Sequence, residues 1–113
     1  MGAVKLETLK KNREFSFVYR RGKAVHTKYF TFIFAKSRYG GARAGFSVSK
    51  KVGNSVKRNK VRRRLKEAFR AFLPGIAGNY SIVFVARVGA ADAEYAALLK
   101  TMERALKKAG VLN

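Results

Sequence analysis

The chain has 113 residues, 48% of them hydrophobic, and carries 26 Lys and Arg against 6 Asp and Glu, a formal net charge of +20. That length predicts one domain, residues 1–113, with enough apolar content for a core, and the charge excess calls for a polyanionic partner, either nucleic acid or an anionic membrane surface. No cysteine is present, which excludes disulfides and thiolate metal sites, and neither a signal-peptide core nor a run of roughly 20 apolar residues occurs, so a soluble, cytoplasmic protein is expected.

Asn12 to Gly22 reads as a short helix: Phe15, Val18 and Tyr19 stand at i, i+3 and i+4, Asn12 is placed to cap it and Gly22 to stop it. A brief extra strand fits near Lys23 to His26. Tyr29 to Phe34 is rich in aromatic and β-branched residues and apolar on both faces, as a strand requires. A turn around Tyr39-Gly40-Gly41 leads into a second strand, Arg43 to Ser49. After Gly53-Asn54-Ser55 the period changes. Val61, Leu65, Ala68, Phe69 and Phe72 form one stripe of an amphipathic helix from about Ser55 to Phe72, ended by Leu73-Pro74-Gly75. Tyr80 to Ala86 is a continuous apolar run, the mark of a central strand covered on both sides. Asp92 is placed to open a last helix with Tyr95, Leu98, Leu99, Met102, Leu106 and Ala109 inward and Lys100, Arg104, Lys107 and Lys108 outward. The order α-β-β-α-β-α predicts an α/β sandwich, a single sheet with helices against it.

The charge is concentrated. Lys50 to Arg70 holds ten basic side chains and one acid, Glu67. At about 100° per residue, Asn59, Arg62, Arg63, Lys66 and Arg70 gather opposite the apolar stripe, with Lys60 beside them and Arg58 nearer its edge. Like charges at Arg58–Arg62, Arg62–Lys66 and Lys66–Arg70 destabilise an isolated helix, and cations at its N-terminus oppose its dipole. Both penalties make sense where phosphates are bound. A merely solvated face would carry acids in comparable number. A membrane-surface helix is disfavoured because the apolar stripe is needed against the sheet.

Ser47-Val48-Ser49-Lys50-Lys51, then Gly53-Asn54-Ser55, then Arg58-Asn59-Lys60 with Arg62, Arg63, Lys66 and Glu67 after it, resembles the signature of the bacterial ribonuclease P protein family. The likeness extends to Leu9-Lys10-Lys11-Asn12, Phe15, Tyr19-Arg20-Arg21-Gly22 and the strand Tyr80 to Arg87, and so covers most of the chain. Lys60 departs from the family's usual arginine, which keeps the charge but not a bidentate or stacked contact.

The resemblance implies a two-layer sandwich of the ribosomal protein S5 domain 2 type with a left-handed βαβ crossover. Periodicity could not have suggested that, since crossovers are right-handed by a wide margin. It implies endonucleolytic removal of the 5′ leader from precursor tRNA, performed by an RNA subunit with Mg²⁺, while the protein binds no cofactor and is itself non-catalytic. The partners implied are ribonuclease P RNA and precursor tRNA, with no membrane and no obligate protein partner. A ribosomal or general structured-RNA-binding protein of the same fold is the alternative. The RNA-binding residues expected are Lys50, Lys51, Lys57, Arg58, Asn59, Lys60, Arg62, Arg63 and Lys66.

The residues themselves fit a non-catalytic subunit. Glu7, Glu14, Glu67, Asp92, Glu94 and Glu103 suggest no two-metal carboxylate cluster, and Asp92 and Glu94 read better as helix-start partners. His26 has no evident acid–base partner and reads as an ordinary edge residue. Phe15, Phe17 and Tyr19 put aromatics on more than one side of a short helix, which cannot bury them all against one sheet. Phe30, Phe32 and Phe34 read as core. For Phe15 and Tyr19 the sequence leaves core and platform both open, and the resemblance places them in a leader-binding cleft.

Overall fold

The computed structural model of the chain describes residues 6–38 and 40–112; Tyr39, at the expected turn, lies outside them. Strands β1 (Glu7–Thr8), β2 (Lys23–His26), β3 (Phe30–Lys36), β4 (Ala42–Ser47) and β5 (Tyr80–Ala86) form one sheet in the order β1-β4-β5-β3-β2. Three helices accompany it: α1 (Asn12–Arg21), α2 (Ser55–Phe72) and α3 (Tyr95–Lys108). β5 is central, parallel to β4 and antiparallel to β3, so the connection from β4 to β5 is a crossover carrying α2.

Alternation along β5 explains its unbroken apolar run. Ile82 and Phe84 point into the main core with α2 and α3, while Val83 points to the opposite face, where Val18 of α1 covers it. Phe84 is the hub: its ring lies 5.3 Å from Phe30, 5.2 Å from Phe32, 5.5 Å from Phe46 and 5.3 Å from Phe69. These offset and edge-on pairs each add about 0.5–1.5 kcal/mol to the burial of the rings. Val61, Leu65, Ala68 and Phe69 of α2 are buried, as their spacing requires. Asn54 caps that helix, its Oδ1 accepting from the Lys57 N–H at 3.0 Å.

Several local expectations are corrected. Asn12 is the first helical residue of α1, not its cap. Lys11 holds the cap position, and Glu14 reaches back to accept from its N–H at 3.0 Å. Gly22 does end α1, but with an ordinary extended φ of −83°; the glycine is required because a Cβ there would collide with the Val18 carbonyl. Asp92 does not open the last helix. Val88–Asp92 forms a 3₁₀ turn, α3 starts at Tyr95 behind Glu94, and Glu94 makes no side-chain cap bond. Tyr95 is 38% exposed rather than core, and Ala105 takes a buried place instead. β1 has no signal in the sequence, because two residues are too few to show a period of two. It pairs in parallel with β4, Glu7 opposite Arg43 and Thr8 opposite Ala44, held by the buried Leu6 and Leu9.

Candidate nucleic-acid interface

The basic residues before and within α2 sort into three groups. Lys50 and Lys51 stand exposed on a 3₁₀ turn, ahead of exposed Lys57, Asn59, Lys60, Arg63 and Arg70 along the outer face of the helix. Arg62 and Lys66 do not share that face. They flank the apolar stripe on the side of β4 and are half-buried. The reason is angular: Arg62 directly follows buried Val61 and Lys66 directly follows buried Leu65, so each sits only about 100° from an inward-pointing neighbour. The Asn59 Oδ1 accepts from Arg62 Nη1 at 2.9 Å, one helical turn apart, and sets the guanidinium's direction. Arg64, on the other flank, donates to the Ala93 carbonyl at 2.9 Å and ties α2 to the turn before α3. Arg58 is also half-buried: Nη2 donates to Ser55 Oγ at 3.3 Å, and Nε is closed off without a hydrogen-bond partner.

Arg62 and Lys66 line a groove of about 200 Å³ with Thr8, Leu9, Phe15, Ala44, Gly45 and Phe46. Here two elements distant in sequence bring an aromatic ring and two cations together. Gly45 makes that approach possible: a Cβ there would stand 2.5 Å from Phe15 Cζ. Phe15 is half-buried against Leu9, Val18 and Val83. Tyr19 is 48% exposed and not part of that groove. The two rings thus occupy different settings, one packed and one open.

Glu14 braces this end of α1. Its Oε1 accepts from the N–H groups of Lys11 and Lys10, and its Oε2 lies 3.0 Å from Arg43 Nη2. The Lys11 N–H is the main cause holding its carboxyl below the ordinary value; partial burial acts the other way, and the Lys10 N–H and Arg43 reinforce the lowering.

His26 sits exposed on β2, its Nδ1 3.1 Å from Thr31 Oγ1. Among the described residues no three His, Asp or Glu side chains come close enough to hold a metal ion. Nor, among them, is any helix long and apolar enough to cross a membrane. The interface therefore offers cations, amide donors and aromatic faces, which suit phosphates and bases.

Residues 4–110 match the family described as Ribonuclease P. The ribonuclease P protein component of Clostridium botulinum is 43% identical over 111 residues, covering 97% of this chain and 100% of the relative. That of Caldanaerobacter subterraneus is 42% identical over 104 residues, covering 92% and 90%. Among solved structures, the Staphylococcus aureus RNase P protein superposes with a TM-score of 0.86 at 34% identity over 96% of this chain and 100% of that one. The Thermotoga maritima RNase P protein gives 0.81 at 26% identity over 90% and 96%.

Proposed function

The chain belongs to the ribonuclease P protein family, the protein subunit of the tRNA 5′-processing endonuclease, and we propose accordingly that it binds ribonuclease P RNA and precursor tRNA in the cytoplasm, leaving cleavage and Mg²⁺ to the RNA. The observation that carries this reading is the convergence of Phe15 with Arg62 and Lys66 in one groove, beside a helix face of exposed Lys and Arg. The outer face of α2, with Lys57, Asn59, Lys60 and Arg63, together with the preceding Lys50 and Lys51 and the half-buried Arg58 of its first turn, meets phosphates of folded RNA. The Phe15 groove and the open ring of Tyr19 take the unpaired leader, by stacking that tolerates any base. The protein's contribution is electrostatic and positional: neutralising phosphates lowers the concentration of divalent cation the RNA needs, and holding the leader favours precursor over product.

Reconstitution tests it. Added to ribonuclease P RNA at low Mg²⁺, the protein is expected to restore leader cleavage, and the protein alone is expected to cleave nothing. Cleavage by the protein alone, or no stimulation of the RNA, would overturn the proposal; the second result would favour a general RNA-binding role for this chain.

A further inference from the structure

α1 lies across one face of the sheet, over the rung formed by Gly45, Val83 and Ile33. It therefore divides that face in two. On one side is the rung Ser47–Val85–Thr31, half-buried. On the other is the rung Arg43–Ser81–Ala35. Val18 points down between them. One residue on, Tyr19 turns about 100° to one flank, and one residue back, Phe17 turns as far to the other. Leader binding at Phe15 and Tyr19 occupies only the first of these flanks.

The Phe17 side is a cleft of about 620 Å³, within the roughly 300–1,000 Å³ typical of ligand sites. Its floor is roomy because Ala35 and Ser81 are small, and Ser81 is the one polar side chain buried among the described residues. Arg13, Lys36 and Arg38 stand exposed around it, and Glu14 is held by Arg43 at the back wall. A contiguous hollow shares Phe17, Lys36 and Arg38 and extends the basic lining to Arg21 and Lys23. The Phe17 ring, at the mouth of both, is 37% exposed. Cations crowded around an open ring, with a single acid already engaged, repel one another and leave apolar surface in water. A ligand that is flat and apolar at one end and anionic at the other relieves both.

We propose that this cleft is a second single-strand site, holding one unpaired ribonucleotide with its base against Phe17 and its phosphates among Arg13, Lys36 and Arg38. The inference rests on the reading that the chain works on RNA. Two sources present that chemistry: the distal part of a long leader that has passed α1, and an unpaired nucleotide of the RNA subunit.

Photocross-linking separates them. Thiouridine is placed in a short oligouridylate, in the distal leader, or in unpaired positions of the RNA subunit, the last two within the assembled holoenzyme, and adducts are mapped by peptide mass spectrometry. The oligouridylate is expected to cross-link to Phe17, and the holoenzyme arm that repeats the adduct identifies the source. In a Tyr19→Ala background, where the opposite cleft has lost its open ring, Phe17→Leu is expected to lower oligouridylate affinity about 5- to 150-fold with an unchanged melting curve. Phe17→Tyr, which keeps a stackable ring, is expected to restore it. Adducts confined to Phe15, Tyr19 and α2 in all three arms, or unchanged affinity in Phe17→Leu, would overturn the second site while leaving RNA binding intact. Failure of the parent reading looks different: no adduct anywhere and no stimulation of the RNA subunit.

Discussion

Phe15 and Tyr19 are one helical turn apart, yet the structure gives them different work. The Phe15 ring is wedged over the backbone of Gly45, so removing it leaves a gap beside β4; Tyr19 is 48% exposed and holds little together. Tyr19→Ala is therefore the clean test of leader stacking. A base stacked on an aromatic ring is worth about 1–3 kcal/mol, so this substitution is expected to weaken precursor tRNA binding about 5- to 150-fold and leave mature tRNA unchanged. Equal losses for both RNAs would assign the leader elsewhere. Glu14 belongs to the same scale. Its folded-state pKa is lowered, so its contribution to stability is present above the ordinary carboxylate value and is lost as pH falls through the folded value. Glu14→Gln is expected to cost about 1 kcal/mol at neutral pH. The gap between the two proteins should close as pH drops below the ordinary carboxylate range. A gap that stayed constant in acid would show that the charge on Glu14 is irrelevant.

At the scale of elements, α2 separates cations proposed to bind RNA from cations that hold the fold together. Arg62, Arg63 and Lys66 have no acid beside them among the ion pairs of the described residues, whereas Arg64 is spent on the Ala93 carbonyl. Replacing the first three by Ala is expected to weaken RNA binding and flatten its dependence on salt by about 2–3 in logarithmic slope, close to one for each phosphate left without its cation. Arg64→Ala is expected to leave that slope unchanged and lower the melting temperature, since it unties α2 from the turn before α3. A fall in salt slope from Arg64→Ala, or none from the triple variant, would reverse the assignment. The bounds of α2 and β5 were legible in the sequence because each carries a long, unambiguous pattern. β1 was not, since its two residues are selected by the open edge of β4 and by the burial of Leu6 and Leu9 around them. The start of α3 was hidden for a related reason: Asp92 is a good cap residue in isolation, but the chain there is held in a 3₁₀ turn packed on α2.

For the whole molecule, a net charge of +20 on 113 residues makes the folded state its own opponent. The described residues show two ion pairs, Arg43–Glu14 and Lys107–Glu103, the second exposed and worth little. Anions that bind the native state stabilise it by mass action. Sulfate or phosphate is thus expected to raise the melting temperature well beyond chloride at equal ionic strength, the basic clefts and the face of α2 being the sites occupied. Equal shifts from all three salts would mean that screening alone relieves the repulsion.

Composition and local period were enough, unaided, for the polyanionic partner, from a charge excess no fold can hide. They were enough too for the extents of α2 and β5, from runs long enough to carry their own periodicity, and a motif in a fixed order was enough for the family. Adjacency was left to the tertiary structure. Nothing in the spacing of Phe15 and Arg62 says that they line one groove; that comes from β4 lying between their helices with a glycine at the point of contact. Nor does the spacing of Phe17, Lys36 and Ser81 say that they surround one cleft, which depends on sheet register and on where α1 crosses it. Side-chain period is a property of neighbours along the chain, whereas a site is a property of neighbours in space, and the packing of α1 on the sheet converts one into the other.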